Sequence, residues 1–232
     1  MARMKLLVLD TSTEWCSAAL WLDGQVASRR VLAEQRHSSL LLPMIDALLH
    51  DAGVALRELD GIGYGAGPGS FTGLRIACAV TQGLAFGADL PVVGVSTLES
   101  IAAQSGADRV LTVLDARMAE VYWAAYERAD DRWQVVSAPQ LALPDSVAVP
   151  GAGEWVGAGN GFVALGDVLL PRLETQLARI DATLMPDAAA MAPLAAQAFA
   201  RGEGMDAALA APIYLRDKVA LTVDERRARQ SA

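Results

Sequence analysis

The sequence predicts an α/β protein made of two related halves, each a mixed sheet flanked by helices. Three observations carry that expectation. An apolar run ending in aspartate occurs at Lys5 to Asp10 and again at Val110 to Asp115, about one hundred residues later, and two further strand-like segments follow each. Helix-length apolar segments alternate with short strands between the two runs. The chain of 232 residues is 53% hydrophobic and 20% charged, which supplies a sizeable core and argues against disorder.

Lys5 to Asp10 reads as a buried strand because its apolar run is continuous. Cys16 to Leu22 and Gln25 to Val31 read as two more strands. Asp23-Gly24 joins them, a dipeptide that suits a two-residue hairpin because both positions tolerate positive φ. A helix lies within about Gln35 to Ala52; Pro43 removes one of its hydrogen bonds, so it either starts near Ser39 or is kinked. A short strand near Gly61 to Tyr64 leads to a glycine-rich turn and a helix from about Phe71 to Phe86. Pro91 to Val95 is a strand, and Ser96-Thr97-Leu98-Glu99 has the spacing of a capping box. In the second half, Glu120 to Glu127 and Trp133 to Ser137 are strands turned at Asp130-Asp131. Pro139 to Gly161 reads as loops with a short strand, and Asp187 to Arg201 as an alanine-rich helix. From Asp217 the chain is charged, and Asp224 to Ala232 is expected as a solvated tail.

Composition narrows the function classes. A net charge of −8 and a pI near 4.8 argue against tight, unaided binding to nucleic acid, which needs many Lys and Arg to displace counterions. They leave room for a role in a complex whose other members hold RNA. Cys16 and Cys78 have no paired spacing, which disfavours a disulfide framework or zinc module and fits a reducing cytoplasm. The run before Asp10 is too short for a signal peptide core, and no stretch has the length and pattern of a membrane span.

Few residues offer chemistry. The only histidines, His37 and His50, lack the four-residue spacing that puts two metal ligands on one helix face. There is no Gly-x-Ser-x-Gly elbow and no P-loop lysine. Two candidates stay open. The run Gly67-Pro68-Gly69-Ser70 precedes a helix, where free N–H groups favour an anion. It equally suits a tight turn with Ser70 as the cap. Asp10-Thr11-Ser12 ends the first strand. It either faces a metal-phosphate or closes the turn by side-chain-to-backbone bonds. Asp115 and Arg117 read as an ion pair or a polar pocket wall.

The two long helices of the first half carry more apolar surface than one core requires. In the first, Leu40, Leu41, Leu42, Met44, Ile45, Ala47, Leu48, Leu49 and Ala52 sweep roughly 220° at 100° per residue. In the second, Arg75 is the only charge between Phe71 and Ala88, and Gly73, Ala77, Gly83 and Gly87 leave parts of the helix bare. Either both helices are wholly buried, or they share an apolar face for a partner. The interface candidates are Leu41, Met44, Ile45, Leu48, Leu49, Phe71, Leu74, Arg75, Cys78 and Gln82.

Asp10-Thr11-Ser12, His37-Ser38-Ser39-x-Leu41-Leu42-Pro43, Gly67 to Arg75 (GPGSFTGLR), Ser96-Thr97-Leu98, Asp115-Ala116-Arg117 with Glu120-Val121-Tyr122, and Pro212-x-Tyr214-x-Arg216 follow each other in a pattern that resembles the bacterial TsaB (YeaZ) family over nearly the whole chain. The resemblance implies an actin-like (ASKHA, ribonuclease H-like) fold. Its expected division is a first domain at 1–104 carrying the partner helices, a second at 105–218 whose last helix is free to pack back on the first, and a charged tail at 219–232. It further implies a cytoplasmic, non-catalytic scaffold in threonylcarbamoyl transfer to the adenosine beside the anticodon of tRNAs reading ANN codons. Such a subunit pairs with a catalytic paralogue, TsaD, and is joined by an ATPase, TsaE. It meets tRNA through the complex and self-associates by the same surface when the partner is absent. No metal or catalytic residue is expected. The isolated chain needs no cofactor, although ATP or ADP has room at an interface of the complex. Ser96 to Glu99 stand where the catalytic paralogue places its histidines. The competing expectation is an actin-like ATPase or kinase using Asp10 and the Gly67–Ser70 loop.

Overall fold

The computed structural model describes residues 4–216. The hairpin at Asp23-Gly24 forms, with φ of 53° and 97° at its two central residues, as a turn matching the twist of the strands requires. It joins β2 (Trp15–Leu22) to β3 (Gln25–Leu32), and β2 pairs antiparallel with β1 (Lys5–Asp10). On its other edge β1 pairs in parallel with β4 (Gly61–Gly67), which pairs in parallel with β5 (Val92–Ser96). The sheet order is β3-β2-β1-β4-β5.

The second half repeats this layout. Its strands are β6 (Arg109–Asp115), β7 (Val121–Ala129), β8 (Arg132–Ala142), β9 (Trp155–Ala158) and β10 (Leu177–Asp181), in the order β10-β9-β6-β7-β8. Read from the opposite edge, this is again an antiparallel meander followed by two parallel strands. The duplication, faint in residues, is complete in strand order, although among the described residues no helix like that at His37–Ala52 stands between β8 and β9.

Among the described residues six α-helices flank the sheets: α1 (His37–Ala52), α2 (Phe71–Ala88), α3 (Thr97–Gln104), α4 (Gly161–Ala164), α5 (Gly166–Leu173) and α6 (Ala188–Ala200). Strand alternation divides β1 between two cores. Leu7 and Leu9 meet Leu41, Ile45 and Leu48 of α1 and Cys78 of α2. Leu6 and Val8 meet Met191, Ala192 and Ala195 of α6. In the second sheet, Val110 and Leu114 pack with Leu98 and Ile101 of α3, while Leu111 and Val113 pack with Phe162, Leu169 and Leu173. The halves therefore exchange helices: α3 precedes the second sheet in sequence and packs on it, and α6 follows the second sheet and covers the first.

Serine caps start two helices as their positions predict. Ser70 Oγ accepts from the Gly73 N–H and Ser96 Oγ from the Glu99 N–H, each at 3.3 Å. Helix α1 (His37–Ala52) lies within the expected span and carries Pro43 inside it. Two expectations need correcting. Strand β4 continues past Tyr64 to Gly67. Strand β8 continues through Pro139 to Ala142. Proline is tolerated there because β8 is an edge strand and its register against β7 shifts at that point. The tail expected at 219–232 lies outside the described residues.

Candidate functional site

A cleft of about 660 Å³ opens between the halves. The β1–β2 turn at Ser12 and Thr13, the start of α2 and His37 form one wall; Asp115, Arg117 and Asn160 form the other. Backbone contact holds the first wall together. Ser70 N–H donates to Ser12 O at 2.7 Å, and Thr11 Oγ1 donates to Gly73 O at 2.6 Å. A Cβ on Gly73 would sit 1.8 Å from Thr11 O, and one on Gly69 would sit 2.5 Å from Ser12 O. These glycines let two turns touch, and Ser70 is committed to the Ser12 carbonyl and the helix cap. His37 Nε2 donates to Thr13 O at 2.9 Å. Across the cleft, Asp115 Oδ2 pairs with Arg117 at 3.2 Å and Oδ1 accepts the Arg117 N–H at 2.8 Å, so the ion pair forms.

Asp10 does not line this cleft. Its side chain is fully buried, and its Oδ2 accepts from Ser12 Oγ at 3.1 Å and Ser12 N–H at 3.4 Å. Those are the bonds of a closed turn. The other oxygen, Oδ1, has no partner among the described residues and lies against the backbone of Gly65. Burial raises the carboxyl from its ordinary 3.8 to about 7, with Asp187 adding to the rise and Ser12 and Arg30 opposing it. Enclosed on every side, the Asp10 carboxyl has no open approach for a cation from the cleft. The cysteines are equally placid: burial pushes Cys16 up to about 11 and raises Cys78 as well. Among the described residues no group of three or more His, Cys, Asp or Glu is placed to hold a metal ion.

The helix faces split the ten interface candidates. Leu41, Ile45, Leu48, Leu74 and Cys78 are at most 6% exposed and belong to the protein's own core, which corrects their assignment to a partner surface. Hydrophobic spacing identified them as apolar without revealing that β1, β2 and β4 already cover them. Met44, Leu49, Phe71 and Gln82 are half-buried and Arg75 is exposed. The ten candidates left out residues that do face outward: Leu42 at 49% and Phe86 at 63% exposure, with Thr72, Ala79 and Gly83 also exposed along α2. Of these, bare Gly83 was the legible signal. A Cβ at Gly83 or Gly87 would meet nothing within 4 Å.

A family model described as "TsaD: tRNA N6-adenosine threonylcarbamoyltransferase" matches residues 30–222. The tRNA threonylcarbamoyladenosine biosynthesis protein TsaB of Escherichia coli is 41% identical over 225 residues, covering 94% of this chain and 96% of its own length. The chain belongs to the TsaB family. The TsaB protein of Haemophilus influenzae is 35% identical over 232 residues, with 94% and 96% covered. A crystal structure from Pseudomonas aeruginosa, of a protein described as similar to peptidase YEAZ, is 43% identical and superposes with a TM-score of 0.86, covering 92% of this chain and all of that one. Component A of Acidaminococcus fermentans (R)-2-hydroxyglutaryl-CoA dehydratase shares the fold at a TM-score of 0.50 and 10% identity. TsaB proteins are named for the biosynthesis of threonylcarbamoyladenosine in tRNA, and the fold of this member is the actin-like, ribonuclease H-like one. No helix among the described residues is long and apolar enough to cross a membrane.

Proposed function

We propose that this chain is a non-catalytic scaffold of the threonylcarbamoyladenosine pathway, pairing with the catalytic paralogue TsaD through the outward faces of α1 and α2. One observation carries the proposal: the exposed ridge of α2 runs Thr72, Arg75, Ala79, Gly83, Phe86, with a bare trough at Gly83 and a single charge. An interior helical glycine is less stable than alanine by about 1 kcal/mol. Nothing among the described residues needs the space Gly83 leaves, whereas a helix of a second chain would. Met44 and Leu42 of α1 extend the face. TsaE joins the pair, tRNA is held by the assembly in the cytoplasm, and the same face serves self-association when TsaD is absent.

The enclosed Asp10 carboxyl, its Oδ2 already committed to Ser12, speaks against the ATPase or kinase reading, and the buried thiols of Cys16 and Cys78 against a thiol peptidase. The test is in vitro modification of tRNA with TsaD, TsaE and this chain omitted in turn. Modification is expected only with all present, and none from this chain alone. Turnover of ATP or hydrolysis of peptide by the isolated chain would overturn the proposal.

A further inference from the structure

The segment 210–216, which contains Pro212-x-Tyr214-x-Arg216, fastens one half of the molecule to the other. Its first part is tied to the first half. Tyr64 Oη accepts from Ala211 N–H at 3.0 Å and donates to Ala211 O at 3.2 Å, Gln82 Nε2 donates to Ala210 O at 3.1 Å, and Ile213 N–H donates to Ala66 O at 2.7 Å. At Tyr214 it reaches the ridge of α2. Arg75 Nε donates to the Tyr214 hydroxyl at 2.8 Å, and the Arg75 guanidinium lies 3.7 Å over the Phe71 ring, whose centroid is 5.4 Å from that of Tyr214.

One residue on, the strap changes sides. Leu215 packs into the core of the second half, and Arg216 holds the β6–β7 turn. Arg216 Nη2 donates to Ala116 O at 3.0 Å and its other nitrogen pairs with Glu120 at 2.5 Å, the two side chains being only 15% and 27% exposed. The turn so held is unusual. Arg117, Met118 and Ala119 all have left-handed φ, at 62°, 58° and 60°. Side chains hold that conformation only where the surroundings over-determine it. The turn forms one lip of the cleft.

We propose that residues 210–216 are a latch that sets the width of the cleft, with Tyr214 as its sensing end on the partner face of α2 and Arg216 as its working end on the left-handed turn. A partner seated on Arg75, Phe71 and Tyr214 fixes the strap and through it the 116–120 turn. This second step rests on the proposed pairing; the latch itself does not. The physical link is that both ends belong to one short segment hydrogen-bonded to each half.

Hydrogen exchange on the isolated chain, diluted until sedimentation shows it monomeric, tests the latch. Tyr214→Ala is expected to speed exchange at 116–122 by about tenfold or more, as Arg216→Gln does directly, although Tyr214 does not touch that turn. Tyr214→Phe, which keeps the ring and loses the hydroxyl, gives a smaller rise and serves if the alanine variant misfolds. Faster exchange confined to 71–75 and 210–214 would overturn the latch. In the second arm, the paralogue slows exchange at 116–122 in the native chain but not in Arg216→Gln, which still binds it. Binding that leaves 116–122 unchanged in the native chain, or that slows it equally in Arg216→Gln, would overturn the coupling. Absence of binding, read by calorimetry, would sink the pairing and the coupling with it, while the first arm still decides the latch.

Discussion

Replacing Asp10 by asparagine tests the electrostatic reading of the old strand-end aspartate. The substitution keeps shape and Ser12 as a hydrogen-bond donor, and it removes the charge. The carboxyl stands at about 7 in the folded chain against an ordinary 3.8, so its folded pKa is raised. Below the ordinary value both states hold the proton and ionisation costs nothing. As pH rises the unfolded chain releases its proton first, so stability falls until the folded carboxyl ionises as well. Three units at 1.36 kcal/mol each give a full penalty of about 4 kcal/mol above neutral pH. Asparagine escapes it. In urea unfolding followed by tryptophan fluorescence, the stability of Asp10→Asn relative to the native chain is expected to rise by about 3 kcal/mol between about pH 5 and pH 8. A constant offset of either sign reflects packing alone. A difference that stays flat with pH, or shrinks as pH rises, would refute the claim that this carboxylate is buried without compensation.

The two helix faces respond oppositely. Leu41→Ala, in the core, is expected to lose about 2–5 kcal/mol of stability, whereas Phe86→Asp, on the surface, changes the melting temperature little and abolishes co-purification with TsaD. Gly73→Ala drives a Cβ to 1.8 Å from the Thr11 carbonyl, a backbone atom that cannot yield, and is expected to cost about 3 kcal/mol or more in thermal melts. Cys16 and Cys78, buried and held as thiols, are expected to resist iodoacetamide near neutral pH in the native chain and to react once urea unfolds it.

Local rules were legible in the sequence wherever a residue acts on its own backbone. Asp23-Gly24 set a hairpin, and Ser70 and Ser96 capped helices, because those preferences are decided within four residues. The two aspartate-ended runs gave away the duplication since each opens an equivalent sheet. What escaped depends on distant chain. Periodicity marked Leu41 and Ile45 as apolar but could not say that their cover is the first sheet. Alternation puts Asp10 on the same face of β1 as Leu6 and Val8, but only tertiary structure lays α6 over that face and so brings the burial that raises the Asp10 carboxyl. The extension of β8 through Pro139 is not legible in sequence because an edge position with a register shift has no local signature. The strap around Tyr214 makes contacts 139 and 147 residues away in sequence, beyond any pattern rule.

The most direct measurement is the calorimetric affinity of TsaD for Gly83→Arg beside the native chain. Arginine is a better helix residue than glycine by roughly 0.5–1 kcal/mol, and the position is open, so the isolated variant should melt at the same temperature or higher. Its long side chain fills the trough on α2, and affinity should fall by about a hundredfold or more. Unchanged affinity in a well-folded variant would contradict the assignment of that face to the partner.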